Sequence, residues 1–162
     1  LVSIAPRSSW SPARNVAVDR ALEHVAAYTI ANDLSARDRM VRPKIRDGSP
    51  FRFDWLAAKD FDGGCPLGPA LVPASAVQDP QSLAMKLWVN DVLKQDSSTS
   101  RMIFSVAEQI SHLSAIMTLR PGDVVLTGTP AGTGAERHEY LKRGDTVVIE
   151  IEKLGRLLTR IV

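Results

Sequence analysis

Apolar residues recur at helical spacing over 18–27, where Val18, Ala21, Leu22, Val25 and Ala26 fall on one side, and this predicts a helix. Tyr28-Thr29-Ile30 follows as a short strand, with Asn32-Asp33 leaving it. Residues 38–53 are rich in Arg, Lys, Asp, Gly and Pro and carry no clear period, so they read as a long loop. Over 63–80 the chain is punctuated by Gly63, Gly64, Pro66, Gly68, Pro69, Pro73 and Pro80, which predicts turns and an edge strand rather than helix. Residues 84–89 and 92–95 flank Asn90-Asp91, a two-residue connection tolerant of positive φ, and this predicts a β-hairpin. The clearest helix runs over 106–117. Ser105 and Glu108 form its capping box, Val106, Ile110, Leu113 and Met117 its buried stripe, and Pro121-Gly122 stops it. Two strand entries then echo each other, Leu119-Arg120-Pro121-Gly122-Asp123-Val124-Val125 and Leu141-Lys142-Arg143-Gly144-Asp145-Thr146-Val147, as one turn used twice. The alternation over 146–151 closes the chain, with 157–162 as its partner strand.

This pattern predicts an α+β, β-dominated fold with about two helices and long Gly/Pro loops. There is no βαβ rhythm and no Gly-x-Gly-x-x-Gly after a strand, which argues against a nucleotide-binding α/β fold. The 162 residues, 44% hydrophobic and 23% charged, read as one soluble globular domain, 1–162. A single cysteine, Cys65, excludes an internal disulfide and fits a reducing cytoplasm. Lys plus Arg number 20 against 18 for Asp plus Glu, and aromatics are 6%, which does not describe a nucleic-acid binder. Arg42, Lys44 and Arg46 read as a solvated loop, although such charge also attracts carboxylate substrates. No apolar run reaches the ~20 residues that span a bilayer. The start, Leu1-Val2-Ser3-Ile4-Ala5 followed by Pro, Arg, Ser and Trp, is not a signal peptide; lacking Met and opening in a strand-like segment, it reads as missing something upstream.

Three segments carry candidate chemistry. Asn32-Asp33-Leu34-Ser35-Ala36-Arg37-Asp38 brings two carboxylates and a guanidinium together just after a strand. A hard cation such as Mg²⁺ takes one or two carboxylates plus water and substrate; spacing alone favours a surface turn with an Arg37–Asp38 pair. Lys59 sits among Trp55, Leu56, Ala57, Ala58 and Phe61. A partly buried ammonium there can bind a carboxylate or enolate, or shuttle protons, while the plainer reading is a snorkelling lysine. Gly128-Thr129-Pro130-Ala131-Gly132-Thr133-Gly134 offers backbone amides and the Thr129 hydroxyl to a carboxylate, or is an ordinary tight turn. The polar run 95–104 reads as the entry to the capped helix. The three histidines form no site, and Cys65 has no activating neighbour in sequence.

In order along nearly the whole chain, these segments resemble the fumarylacetoacetate hydrolase family. The matching stretches run from Tyr28 to Asp38, through Lys59-Asp60-Phe61-Asp62-Gly63 and Cys65-Pro66-Leu67-Gly68-Pro69. They continue with Leu87-Trp88-Val89-Asn90, Gln95-Asp96-Ser97-Ser98-Thr99-Ser100, Met102-Ile103-Phe104-Ser105 and 119–132. The resemblance implies a mixed β-sandwich or roll, a homodimer, and Mg²⁺ or Mn²⁺ at the active site. It makes Asp33 the aspartate metal ligand and Lys59 the lysine that contacts substrate and metal-bound water. Arg37 and Thr129 then lie near the substrate's oxygens. The implied reaction is metal-dependent cleavage of a C–C bond beside the ketone of a 2-keto or 2,4-diketo acid, with the developing enolate stabilised by metal and lysine. Isomerisation or decarboxylation of a hydroxymuconate-like diacid, and a non-catalytic homologue that only folds and dimerises, are the alternatives. The family pattern places a Glu-x-Glu on the strand before Leu1 and a His-Glu pair on an N-terminal lid, so the chain reads as a catalytic domain lacking that strand and lid. It also has Met40 where family members often have glutamine.

Overall fold

In the computed structural model the described residues are 2–4 and 12–162. The segment 5–11, over which the sequence turns to Pro, Arg, Ser and Trp, lies outside them. Contacts group the chain into two compact units, one of 1–30 with 68–162 and one of 31–67.

The larger unit is built on two four-stranded sheets. The first takes β1 (Val2–Ile4), β2 (Val25–Ala31), β3 (Leu67–Pro73) and β6 (Asp123–Val125) in the order β3-β2-β1-β6. The second takes β4 (Ala84–Val89), β5 (Val92–Ser98), β7 (Thr146–Ile151) and β8 (Gly155–Arg160) in the order β5-β4-β7-β8, antiparallel throughout. The strand-rich α+β class expected from the sequence is what the chain forms. One apolar cluster joins Val25, Tyr28 and Ile30 of β2 to Val147, Ile149 and Ile151 of β7 and Leu157 of β8, together with Val106 and Ile110. Fully buried side chains of the size of Ile30 or Ile110 each contribute roughly 1.5–3 kcal/mol.

The β4–β5 hairpin forms as predicted, with Asn90 and Asp91 at φ 49° and 65°, the backbone a two-residue turn of this hand requires. The echoed turns are the same structure. The Asp123 carboxylate accepts from the Arg120 amide at 2.7 Å, and that of Asp145 from the Lys142 amide at 2.7 Å. Gly122 and Gly144 stand at φ 93° and 94°. The helix α3 (Val106–Ile116) carries the full capping box: the Ser105 amide donates to Glu108 Oε2 at 2.7 Å and the Glu108 amide to Ser105 Oγ at 3.2 Å.

Three expectations are corrected. The helix read over 18–27 is a 3-10 helix, Val18–His24, and β2 already begins at Val25. Ala27, Tyr28, Thr29 and Ile30 are buried in succession, so this inner strand is covered on both faces and shows no alternation. In α3 the third buried position is Ser114, fully buried, rather than Leu113, while Met117 is half exposed. Ser114 can sit there because its hydroxyl donates to the Ser111 carbonyl (2.8 Å) and accepts from the Val16 amide (2.9 Å). The run 95–104 is not a helix entry: Gln95, Asp96, Ser97 and Ser98 belong to β5, and a 3-10 turn, Thr99–Arg101, follows.

The smaller unit, 31–67, leaves the chain between β2 and β3. It holds α1 (Arg37–Met40), a 3-10 turn (Pro50–Arg52) and α2 (Trp55–Lys59) within the region read as loop and its sequel. α4 (Gly134–Arg137), in the larger unit, is a single turn.

Candidate active site

In the smaller unit, three backbone bonds fix the stretch that leaves β2. The Asn32 amide donates to the Pro66 carbonyl (3.0 Å), Leu34 to Gly64 (3.0 Å) and Ala36 to Ala58 (2.9 Å). These clamp the Asp33 segment against the end of α2. That helix begins because Asp54 caps it, accepting from the Ala57 amide at 3.0 Å. Arg42 grips the same Asp54 carboxylate, from Nε at 3.0 Å and from Nη2. The capping amides, and Arg42 with them, hold the Asp54 carboxyl below the usual carboxylate range. Arg42 is thus paired with Asp54 on an exposed face of the unit.

Lys59 is the last residue of α2, and its Nζ lies 2.6 Å from Asp33 Oδ2. The two side chains are 34% and 43% exposed, so solvent reaches the pair. Of the apolar neighbours read around Lys59, Trp55 and Leu56 are 56% and 75% exposed while Ala58 is buried. The ammonium's partner is the Asp33 carboxylate. Cys65 lies close enough to respond to both charges. Burial and the Asp33 carboxylate push its thiol up, Lys59 pulling the other way.

Arg37 opens α1. Its guanidinium stands 5.9 Å from the centre of the Trp55 ring, and Nη1 donates to Met40 Sδ at 3.4 Å. The Arg37–Asp38 pair does not form; among the described residues Arg37 has no carboxylate partner. Asp33, Arg37 and Lys59 thus belong to one small unit. Thr129 belongs to the larger one, on the exposed loop after β6, where its Oγ1 accepts from Gln95 Nε2 at 3.3 Å. Sequence reasoning singled out neither Trp55 as the face under Arg37 nor Gln95 as the partner of Thr129. Each lay in a quoted segment, but the fold alone supplies the pairing.

Residues 9–162 match the model of the fumarylacetoacetate (FAA) hydrolase C-terminal family. The chain belongs to that family. A mitochondrial oxaloacetate tautomerase of Bos taurus is 45% identical over 144 residues, covering 88% of this chain and 44% of the relative. The fumarylpyruvate hydrolase of Pseudomonas aeruginosa, solved with Mn²⁺ and pyruvate, superposes with a TM-score of 0.84 at 34% identity. That likeness covers 99% of this chain and 62% of the other. The 5-carboxymethyl-2-hydroxymuconate delta-isomerase of Mycobacterium smegmatis gives 0.80 at 37% identity, covering 99% and 55%. The chain spans about half the length of the curated relatives it matches. This FAA hydrolase family chain thus has hydrolases, isomerases and tautomerases among its relatives. The cytoplasmic expectation does not fit relatives named as mitochondrial. One cysteine excludes an internal disulfide but cannot separate two compartments.

The donor set can be tested against the metal that the family implies. Asp33 offers a solvent-reached carboxylate oxygen, which suits a hard cation. Among the described residues no three Asp, Glu, His or Cys side chains gather into a metal-holding group. They fit one corner of a coordination sphere, not the whole of it.

Proposed function

We propose that this chain carries the part of a 2-keto-acid enzyme that stabilises the enol or enolate formed at the carbon beside the ketone. The observation that carries this is the Lys59–Asp33 pair, 2.6 Å apart and open to solvent. A surface ion pair of this exposure is worth about 0–1 kcal/mol to the fold, so stability gives little reason for holding it. In the reading we favour, the Lys59 ammonium donates to the enolate oxygen as charge develops there, the kind of contact that lowers a barrier. Within the smaller unit Arg37, its guanidinium supported on the Trp55 face, binds the acid's carboxylate. The exposed Thr129 hydroxyl, in the larger unit, is proposed separately as a contact to a keto-acid oxygen. Asp33 would serve as one ligand of Mg²⁺ or Mn²⁺, whose charge would favour the enolate form; the described residues do not complete that site.

Among the reactions such an enolate serves, proton transfer comes first, because relatives at 42–45% identity are named oxaloacetate tautomerases. Hydrolysis of a C–C bond is the second reading, supported by the TM-score of 0.84 to a fumarylpyruvate hydrolase at 34% identity. The test is stopped-flow decay of oxaloacetate enol absorbance with Mg²⁺ or Mn²⁺. The reading expects catalysis that Asp33→Ala abolishes while the fold survives; full metal-dependent activity in that variant would remove Asp33 from the site. Pairing into a homodimer belongs to the same proposal, supported by family membership and by the exposure of Ile103 and Phe104 at 91% and 63%. Light scattering should give twice the chain mass, and a monomer at tens of micromolar would contradict it.

A further inference from the structure

Gln95 lies on β5 and is 8% exposed. Its side-chain nitrogen has two acceptors on the glycine-rich loop, the Pro130 carbonyl at 2.9 Å and Thr129 Oγ1 at 3.3 Å. A carbonyl can only accept, so Pro130 decides which end of the amide faces the loop: the NH₂ end. Both of its hydrogens are then engaged, and the Thr129 hydroxyl is an acceptor in that contact. The hydroxyl's own hydrogen has no partner among the described residues, and Thr129 is exposed. The loop is also seated on the neighbouring residue. Gly132, at φ +100°, passes so close to the Lys94 carbonyl that any Cβ would collide with it. The Lys94 ammonium meanwhile binds Glu139 at 2.7 Å, just past the loop. Two successive residues of one strand therefore fix where the loop lies and how its threonine is turned.

We infer that Gln95 is a positioning residue: by occupying an acceptor site on the Thr129 hydroxyl, it keeps that hydroxyl turned to donate its hydrogen to an oxygen of the bound 2-keto acid. This rests on the reading of Thr129 as a substrate contact. It adds a residue whose side chain is turned to the loop and acts only through another.

The test titrates pyruvate, with Mn²⁺ present, into wild type and into the Thr129→Val, Gln95→Leu, Gln95→Glu and Thr129→Val/Gln95→Leu variants. Thr129→Val and Gln95→Leu should each weaken binding on the order of tenfold, the size of one lost hydrogen bond. The double variant should be no weaker than Thr129→Val alone, since both act through one hydroxyl. The double variant supplies the readout that a merely structural role would not move, since a displaced loop would weaken binding beyond Thr129→Val. In Gln95→Glu the carboxylate has no hydrogen to give to Pro130 or Thr129, so binding weakens at neutral pH. It should recover only in part as pH falls, because the neutral acid regains one hydrogen where the amide had two and the Pro130 carbonyl competes for it. Wild-type affinity in both Gln95 variants, with Thr129→Val weakened, overturns this inference and spares the site. Unchanged affinity in Thr129→Val removes Thr129 from the site and overturns this inference, while the reading of the Lys59–Asp33 pair stands. A wild type that binds no pyruvate takes the proposed function with it.

Discussion

Asp33 and Lys59 are 26 residues apart and meet at 2.6 Å because the Asp33 segment is bonded to both ends of the 58–66 stretch. Neither residue declared itself by spacing. An aspartate after a strand is usually a turn, and a lysine among apolar neighbours usually snorkels. Only the ordered resemblance raised them above that. The same limit explains what was missed: the partners of Arg37 and Thr129, Trp55 and Gln95, have no local signal because each contact joins separate elements. At this scale the account predicts a split for Lys59→Met. Turnover should fall on the order of 10²-fold, as for the loss of one transition-state contact. Thermal unfolding should barely move, because so exposed an ion pair contributes at most ~1 kcal/mol. Kinetics beside a melting curve checks it, and a large drop in melting temperature with turnover intact would reverse the assignment.

Elements whose signals are local were legible, and those set by burial were not. The Ser105–Glu108 box, the Asn90-Asp91 turn and the repeated Gly-Asp turns each encode their own hydrogen bonds, and each formed as read. β2 misled because its buried run Ala27-Tyr28-Thr29-Ile30 lacks alternation, and α3 because a serine with satisfied bonds occupies a core position. The cap gives a test with a sign. Bonds from the Ser105 amide and hydroxyl hold the Glu108 carboxyl below its ordinary range. Its stabilising effect is therefore fully present above that range and is lost as pH falls through the depressed value. Ser105→Ala should cost about 1 kcal/mol at neutral pH, read from the shift of a urea midpoint at unchanged slope. The difference from wild type should shrink in acid to the part owed to the Glu108 amide's bond to Ser105 Oγ; a difference unchanged down to low pH would mean that the Glu108 carboxylate adds nothing to the serine cap.

At the scale of the molecule, two sheets and α3 share one apolar cluster, while 31–67, between β2 and β3, makes a separate compact unit. Asp33, Arg37 and Lys59 lie in that smaller unit, and Thr129 lies on a loop that β5 holds by Lys94 and Gln95. Fold class and family were readable from the order of motifs along the chain. The reaction was not, because relatives with one fold divide among hydrolysis, isomerisation and tautomerisation. The step common to these readings is an enolate beside a ketone. The most direct measurement is therefore deuterium entry into the methyl group of pyruvate, followed by NMR in D₂O with Mn²⁺ or Mg²⁺ and the purified protein. Exchange should run well above the buffer rate and fall to near that rate in Asp33→Ala. Pyruvate that binds but exchanges no faster than in buffer would contradict it.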